Sequence, residues 1–406
     1  MTTQKDPKRV VGRDKLIAEV WNKLRRPSSQ GSLQFLAERR VGKTTVMTKM
    51  AAEPAAGFDV LFLEVEGIDS PERFVELLLN RVRPMLNRTG KLQAWFNDLL
   101  SNFQGTEIGG IIKLPGRKTI QWQSVLDRII EQLCADRSGR TVLLIFDELP
   151  YMLQKIGEAS TEAGRNFEAL TLLDNLRALR QRHSNLRMIF AGSIGLHHVL
   201  RELKNTQLNA APLNDMEPVE ITPLNTQDAI ELAKQLLADA AIQTVDSLEE
   251  AAQTLAAATG QVPFYMERLT SCLATRDQPV NLSDIERTVW EQLTSDHDPW
   301  EMEHFRTRLD VYYRNPIEDT NGKTLSESQI ARSILDHCSL CESAQSINQI
   351  WDVIRSQHHL SDRSLVIQLL ASLSQDHYLA SDLHKNYRFR FPLIQQWWRI
   401  AQGLHS

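Results

Sequence analysis

The sequence predicts an α/β layer sandwich with a mostly parallel sheet, followed by a small helical subdomain and a winged helix-turn-helix domain. Short apolar runs alternate with helical patterns as far as about residue 223. Helical patterns alone then continue to about residue 300, and the chain ends in three more helical patterns and an alternating hairpin. We therefore expect three domains, at 1–223, 224–300 and 301–406.

Composition favours a protein that folds in an aqueous, reducing compartment. Of the 406 residues, 42% are hydrophobic, and 46 basic and 51 acidic side chains give a formal net charge of −5. This balance argues against a surface built entirely for nucleic acid. Four cysteines are too few for a disulfide framework in a chain of this length. The N-terminus has no signal-peptide core, and no stretch approaches the roughly 18 apolar residues of a membrane span. We expect a cytoplasmic protein with no membrane partner.

The first predicted domain contains five strands and the helices between them. Continuous apolar runs such as VLFLEV and TVLLIF are typical of parallel strands covered on both faces, and helical spacing marks the connecting segments. The expected strands are 33–37, 60–65, 141–146, 186–191 and 219–221. The expected helices are 14–24, 44–52, 70–82, 122–133, 167–182 and 195–203. The stretch 84–118 is less regular and suggests one more helix and a small hairpin or edge strand.

The second half of the chain is predicted to be mainly helical. Apolar spacing predicts helices at 229–237 and 248–258, and a third helix follows the Gly-Gln-Val-Pro break at 260–263. Three more helices are expected around 330–335, 347–354 and 365–373. The alternating segments 378–380 and 387–391 then predict a two-stranded wing, which completes a winged helix-turn-helix.

A Gly-Lys-Thr triplet follows the first predicted strand and opens a helix. The stretch from Ala37 to Thr44 fits the phosphate-loop pattern of P-loop NTPases, except that Ala37 replaces the first glycine. Such a loop turns backbone N–H groups toward phosphate oxygens at the positive end of a helix. Gly42 would permit close approach, Lys43 would reach the outer phosphates, and the Thr44 hydroxyl would bind Mg²⁺. The pattern predicts Mg²⁺ and ATP as ligands, with an ordinary strand-to-helix turn as the alternative.

Polar residues also follow two later strands. Asp147 and Glu148 end the third predicted strand, and Ser193 follows the fourth. Because ligands bind at the carboxyl ends of parallel strands, Asp147 is predicted to hold Mg²⁺ and Glu148 to polarise the attacking water. Ser193 is a candidate sensor of the terminal phosphate. The alternatives are a helix-capping pair for the two acids and a simple turn for Ser193.

Two further groups of side chains favour structural roles over chemistry. Cys338 and Cys341 lie beside His337 but lack a second ligand pair at zinc spacing, which favours idle or buried thiols. Trp397 and Trp398 fit the core of the winged domain better than a stacking platform.

The combined motifs resemble those of STAND and archaeal-type ATPases of the P-loop superfamily, relatives of origin-recognition and AAA+ proteins. The resemblance spans nearly the whole chain. It places residues 11–14 near an adenine, 189–193 on a sensor strand, and the proline of 260–263 against the base. The implied nucleotide-binding residues are Gly12, Arg13, Arg39, Arg40, Val41, Gly42, Lys43, Thr44, Thr45 and Pro263. The implied catalytic residues are Lys43, Glu148 and Ser193, and the implied metal ligands are Thr44 and Asp147.

One departure from the family pattern concerns an arginine. Members often carry Pro-Leu-aromatic-Gly-Arg before the fifth strand, whereas residues 212–216 read Pro-Leu-Asn-Asp-Met. A missing arginine finger costs about 10³ to 10⁵ in rate. Arg180, Arg182, Arg187 or Arg201 could substitute for it. With the Ala37 change, this departure supports nucleotide binding better than fast hydrolysis.

Three functions fit these observations. The first is an ATP-dependent switch in which nucleotide closes the α/β domain on the helical lid and the winged helix relays the state to a partner. The second is a DNA-binding protein with secondary nucleotide control, for which Lys385, Arg388 and Arg390 of the wing are the best contacts. Residues 325–406 hold seven basic and seven acidic side chains, which favours a protein contact over DNA. The third is a non-hydrolysing, ATP-dependent scaffold that assembles with itself or with a protein partner.

Overall fold

The computed structural model describes residues 10–27, 31–86, 121–135, 139–159, 167–192, 196–204 and 212–404. Contacts between residues divide the chain into two compact units. The first unit is Met1–Leu36 with Lys43–Ile221, and the second is Ala37–Gly42 with Thr222–Ser406. The loop before α2, the helix that begins at Lys43, therefore makes its contacts within the second unit. The further division of the second part at residue 300 stays a prediction.

The first unit is built on one parallel sheet. Its described strands are β1 (Ser32–Leu36), β2 (Phe58–Glu64), β3 (Thr141–Asp147), β4 (Leu186–Ala191) and β5 (Met216–Glu220). They lie in the order β2-β3-β4-β1-β5, and every neighbouring pair is parallel. Its described helices are α1 (Asp14–Leu24), α2 (Lys43–Ala52), α3 (Pro71–Leu86), α4 (Trp122–Ala135), α5 (Leu149–Ala159), α6 (Phe167–Arg182) and α7 (Leu196–Lys204).

The central strands are buried because helices of the first unit pack against them. Val142–Asp147 of β3 and all six residues of β4 are buried, as expected for parallel strands covered on both faces. Apolar side chains of α3, α4, α5 and α6 join the same core as these strands. The continuous apolar runs in the sequence are thus explained by burial on two faces.

The register of the sheet brings three strand ends to one edge. Ile189 of β4 lies beside Leu33 of β1 on one side and beside Ile145 of β3 on the other. From this common row, β1 and β3 continue to Leu36 and Asp147, at the edge where parallel α/β sheets bind ligands.

The second unit is mainly helical. Its helices are α8 (Thr226–Asp239), α9 (Leu248–Ala258), α10 (Pro263–Leu273), α11 (Leu282–Leu293), α12 (His304–Tyr312), α13 (Glu327–Leu340), α14 (Ile347–His358), α15 (Arg363–Gln375) and α16 (Pro392–Ala401). Its strands are β6 (Pro316–Glu318), β7 (Thr324–Ser326), β8 (Gln345–Ser346), β9 (Leu379–Ser381) and β10 (Asn386–Phe389). β6 pairs with β7, while β8, β10 and β9 form a three-stranded antiparallel sheet.

Local sequence signals start several of these helices. Capping boxes formed by a Ser or Asn and an acid or Gln three residues later begin α9, α11, α13 and α14. Within the part of the chain that the structure describes, no helix combines the length and the apolar character needed to cross a bilayer.

Several elements differ from the sequence prediction. Helices α5, α11, α12 and α16 and the short strands β6, β7 and β8 were not predicted. The third strand extends one residue further than predicted, to Asp147, and the fifth begins at Met216, three residues earlier than predicted. The predicted helix and hairpin within 84–118 fall, for the most part, outside the described residues. Trp397 and Trp398 are buried, as predicted for core residues.

Gly31 marks a close approach between the chain before β1 and a buried arginine of β4. A Cβ atom at this position would lie 2.3 Å from Arg187 Nε and 3.0 Å from the Arg26 carbonyl oxygen. The Arg187 guanidinium donates to the carbonyls of Leu24 (3.0 Å) and Arg26 (2.7 Å), so it is held in place and cannot easily move aside. Only a glycine fits here without displacing the buried cation.

We expect Gly31→Ala to destabilise the first unit by about 1–3 kcal/mol, the usual cost of overpacking a fixed site. Gly67→Ala is the control, because a Cβ at Gly67 would meet no atom within 4 Å. Urea unfolding of both variants measures the difference. Equal midpoints for the two variants would contradict the close approach.

Candidate nucleotide-binding site

The first unit places four of the predicted site residues together. Thr44 Oγ1 donates to Asp147 Oδ2 at 2.7 Å. Lys43 Nζ lies 3.3 Å from Glu148 Oε1 and 3.7 Å from Asp147 Oδ1. Lys43 and Thr44 open α2, whereas Asp147 ends β3 and Glu148 follows it. Residues that are about 100 positions apart in the chain therefore form one cluster.

Asp147 is buried, and its surroundings disfavour the ionised carboxylate. Burial raises the pKa of Asp147 above its ordinary value, and the Lys43 ammonium and the Thr44 hydroxyl only partly oppose this rise. The backbone N–H of Glu148 donates to Asp147 Oδ1 at 3.0 Å, which fixes the direction of the carboxylate. A nearby cation would favour the ionised form of this group.

Glu148 has an unusual backbone conformation. Its φ of 59° lies in the left-handed region, which costs free energy for a residue with a Cβ atom. Its side chain is less buried than that of Asp147, at 21% exposure against 5%. The strained turn at the end of β3 thus directs one acid inward and leaves the next accessible to solvent.

These oxygen atoms fit a magnesium ion. Mg²⁺ prefers oxygen ligands and usually binds one or two carboxylates together with substrate phosphates and water. The Thr44 hydroxyl and the Asp147 carboxylate, which touch each other, supply one neutral and one anionic oxygen. The metal-binding role of Thr44 and Asp147 stays a prediction.

The N-terminal motif lies against α2 within the same unit. Gly12 has a φ of 70°, and Arg13 is buried at the start of α1. Asp14 forms an ion pair with Lys49 of α2, in which Oδ1 and Nζ are 2.9 Å apart. The role of residues 11–14 near a nucleotide stays a prediction.

The phosphate loop, residues Ala37–Gly42, is held within the second unit. Arg40 and Gly42 have positive φ values of 74° and 96°. Glu38 is buried, and its Oε1 accepts the backbone N–H of Arg39 at 2.8 Å. The Arg308 guanidinium donates to both Glu38 oxygens, at 3.1 and 3.0 Å. Arg40 forms an ion pair with Glu301.

Electrostatics around Glu38 favour its ionised form. Burial alone would raise the pKa of Glu38, but the Arg308 guanidinium, assisted by His304, outweighs burial and lowers the pKa to about 2. The pKa of Arg308 is raised in turn, because Glu38 and the nearby acids outweigh its burial. The ion pair is thus maintained throughout the neutral range.

The loop and the Gly-Gln-Val-Pro turn at 260–263, which is predicted to belong to a lid, meet inside the second unit. Pro263 begins α10, after a turn in which Gly260 and Gln261 both have a φ of 62°. The Arg40 guanidinium lies over the Phe264 ring, 4.1 Å from its centroid. A small cavity is lined by loop residues, by lid residues and by the start of α16: Glu38, Arg39, Val41, Thr259, Gly260, Val262, Tyr265, Phe391, Leu393 and Ile394.

The arginines that could replace the missing family arginine have other partners. Arg180 is buried and donates to Asp215 through Nε at 3.1 Å and Nη2 at 2.9 Å. Arg187 donates to backbone carbonyls around β4, and Arg182 pairs with Asp127 at 3.3 Å. Asp215 belongs to the stretch in which the family carries its arginine, so this chain has a carboxylate there that binds Arg180.

Other predicted residues have simpler positions. Arg39 is exposed, Val41 is buried, and Thr45 is half-buried in the first turn of α2. Ser193 lies outside the described residues and stays a predicted sensor. The four cysteines are free thiols, and burial raises the pKa of Cys338 to about 12. Such a thiol is a poor metal ligand, which agrees with the predicted structural role.

Sequence reasoning missed Arg308. It lies on α12, which was not predicted, and it pairs with a residue 270 positions earlier. Neither helical spacing nor the phosphate-loop pattern identifies this partner. The one local signal is Glu38 itself, an acid inside a loop that is expected to bind anions.

One family model and several solved structures are similar to this chain. Residues 25–200 match the family model described as an AAA domain. The solved structure of the Walker-type ATPase PABY2304 of Pyrococcus abyssi has the same fold, with a TM-score of 0.63, 16% identity and 97% of each chain covered. The Aeropyrum pernix ORC2 protein in its ADP form gives a TM-score of 0.47 at 10% identity, covering 99% of this chain and 96% of that one. No curated protein matches this chain significantly.

We expect Glu38→Gln to destabilise the second unit by about 3–5 kcal/mol near neutral pH, because it leaves the buried Arg308 charge uncompensated. A carboxylate with a pKa lowered to about 2 contributes stability above about pH 4.5 and loses it as the pH falls toward 2. The difference between parent and variant in denaturant unfolding should therefore be constant from pH 7 to about pH 5 and shrink below about pH 4.5.

Glu303→Gln is the matched control for this prediction. Glu303 is an exposed acid that pairs with Arg306 at 2.7 Å, and exposed pairs contribute about 0–1 kcal/mol. A parent-to-Glu38→Gln difference that keeps its size down to pH 3 would contradict the lowered pKa.

Proposed function

We propose that this chain, whose residues 25–200 form an AAA-type P-loop domain, is an ATP-binding and slowly ATP-hydrolysing molecular switch. ATP would bind with Mg²⁺ at the phosphate loop and α2, and the C-terminal winged helix would relay the nucleotide state to a partner. The observation that supports this best is the contact of Thr44 with Asp147 at 2.7 Å. It joins the loop motif to the acidic strand end, as a shared metal site requires.

Each residue of the cluster has a proposed task. Lys43 would leave its acidic partners and bind the outer phosphates, whose charge is greater than that of one carboxylate. Asp147 and Thr44 would hold Mg²⁺, which when bound neutralises charge that develops on the phosphates. Glu148, on its strained turn and partly exposed, would accept a proton from the attacking water.

The slow turnover that we propose is supported by the partners of two of the four candidate arginines. Arg180 and Arg187 are buried and hydrogen-bonded within the first unit, so moving either one toward a phosphate would break a buried network at a cost of about 3–5 kcal/mol. We infer that a partner supplies the positive charge needed for fast hydrolysis, or that binding and slow turnover suffice for the switch.

The relay to a partner is proposed for the last part of the chain. A winged helix-turn-helix consists of three helices and a small antiparallel sheet, and this part of the chain has α13, α14, α15 and the sheet β8-β10-β9. Its hairpin exposes Leu383 completely, and Lys385 and Arg388 are exposed beside it. The fully exposed apolar Leu383, together with the equal numbers of basic and acidic side chains in residues 325–406, favours a protein surface over DNA as the contact.

We expect Lys43→Ala to weaken ATP binding by about 100-fold, since the loss of charge-assisted hydrogen bonds to phosphate removes about 3 kcal/mol. Titration calorimetry with Mg-ATP measures this effect. Lys155→Ala is the control, because Lys155 lies on α5 and donates to the Glu66 carbonyl. Unchanged affinity in Lys43→Ala would refute the site.

We expect Glu148→Gln to bind ATP as the parent does but to release phosphate about 10²–10⁴ times more slowly, the usual contribution of a general base. Single-turnover phosphate release measures the rate. Glu158→Gln, at an exposed acid bonded to Gln154, should leave the rate unchanged. A parental rate in Glu148→Gln would remove this residue from the base role.

A further inference from the structure

Arg308 is a largely buried cation, with 15% of its side chain exposed, and each of its three nitrogens donates at least one hydrogen bond. Its two terminal nitrogens donate to the Glu38 carboxylate at 3.1 and 3.0 Å, as a bidentate fork. Its Nε donates to the Tyr378 hydroxyl at 2.7 Å, and one terminal nitrogen also donates to the Asp376 carbonyl at 2.6 Å. Four of the five N–H donors of the guanidinium thus have acceptors, and together these acceptors fix its orientation.

The groups around Arg308 are themselves fixed. The Tyr378 hydroxyl donates to the Phe305 carbonyl at 2.5 Å, and the Tyr313 hydroxyl donates to Asp376 Oδ2 at 2.6 Å. The Arg308 guanidinium carbon lies 4.2 Å from the centroid of the Tyr378 ring and 5.0 Å from that of Phe305. Arg308 is therefore oriented by its own surroundings before it contacts the loop.

Glu38 connects Arg308 to the loop backbone through hydrogen bonds. The same oxygen that accepts from Arg308 also accepts the Arg39 N–H at 2.8 Å. One residue later, Arg40 has a left-handed backbone and pairs with Glu301. The backbone from 38 to 40 is thus restrained by two ion pairs.

The Glu38–Arg308 ion pair is better explained by the loop arrangement that it holds than by a gain in folding stability. A buried ion pair loses hydration that roughly offsets its Coulomb attraction, so an apolar pair of similar volume is often as stable. A phosphate loop, however, must present its N–H groups in one arrangement, and ordering a loop upon binding reduces affinity. Ala37 also replaces the glycine that usually eases this turn.

We propose that Arg308 is a positioning residue for nucleotide binding, which acts through Glu38 to hold the phosphate loop in the arrangement that receives the phosphates. It is not a catalytic residue, because four of its five donors are already bonded to Glu38, Tyr378 and Asp376. The inference rests on the proposed function, since it requires that the loop bind a nucleotide.

Measuring both nucleotide affinity and folding stability distinguishes a positioning role of Arg308 from a merely structural one. Arg308→Met leaves Glu38 buried and uncompensated, so both stability and affinity should fall. The double variant Glu38→Met/Arg308→Met removes both charges, and we expect it to unfold at the parental denaturant midpoint. Its affinity for ADP and for ATP should still be at least about tenfold weaker, the cost of ordering about one backbone residue on binding.

The double variant Glu38→Met/Arg308→Met is expected to change KM but not the turnover rate. Because Lys43, Asp147 and Glu148 are unchanged, turnover at saturating ATP should stay within about twofold of the parent, while KM rises by at least about tenfold. Arg332→Met is the control, since Arg332 forms an exposed pair with Asp310. It should change neither affinity nor KM.

Each outcome is decisive. Parental affinity for ADP in a stable double variant overturns the proposal. If the double variant does not fold, Arg308→Lys is measured instead, because it keeps the positive charge and loses the bidentate contact with Glu38. Nucleotide binding at least tenfold weaker than that of the parent then supports the proposal, and parental binding overturns it. A parent protein that binds no nucleotide defeats the proposed function, whereas equal binding by the parent and the Arg308 variants defeats only this inference.

Discussion

The burial of Lys43 between two acids is the constraint on which the candidate site depends. A buried ammonium is costly unless anions surround it, and Asp147 and Glu148 satisfy this need within 3.7 and 3.3 Å. They can do so because β1, β4 and β3 are parallel neighbours in register, so that the residues after two separate strands reach the same edge. The sheet order, the strand lengths and the left-handed turn at Glu148 together bring these charges to one edge.

Much of this arrangement is predictable from local sequence. The apolar runs of the central strands, the Gly-Lys-Thr triplet and the acid pair are short patterns whose physical cause lies within a few residues. The parallel sheet was predicted because such strands are buried on both faces, and the structure agrees. Helix α5 was missed although Leu149, Met152, Leu153 and Ile156 have helical spacing, because it begins directly after the acid pair with a proline in its first turn.

The partner of Glu38 could not be predicted in this way. Arg308 is 270 residues away, and nothing in its neighbourhood distinguishes it from Arg306, which forms an exposed pair with Glu303. Whether an arginine is buried or exposed depends on the packing of α12, which is a tertiary property. The same holds for Arg180, because the departure at 212–216 was interpreted as a missing arginine, whereas Asp215 provides the carboxylate that a buried arginine needs.

The two ends of the phosphate loop and its middle are restrained by different parts of the chain. Leu36 and Lys43 belong to a strand and a helix of the first unit, whereas Glu38 and Arg40 bind residues beyond position 300. If Arg308 changes the affinity of the loop for nucleotide, then by linkage the nucleotide changes the environment of Arg308 by the same free energy. A tenfold effect corresponds to about 1.4 kcal/mol, enough to shift a nearly balanced equilibrium. A switch of the proposed kind therefore needs no long pathway, because Arg308 also donates to Tyr378 and Asp376, which lie between α15 and β9 in the part of the chain proposed to contact the partner.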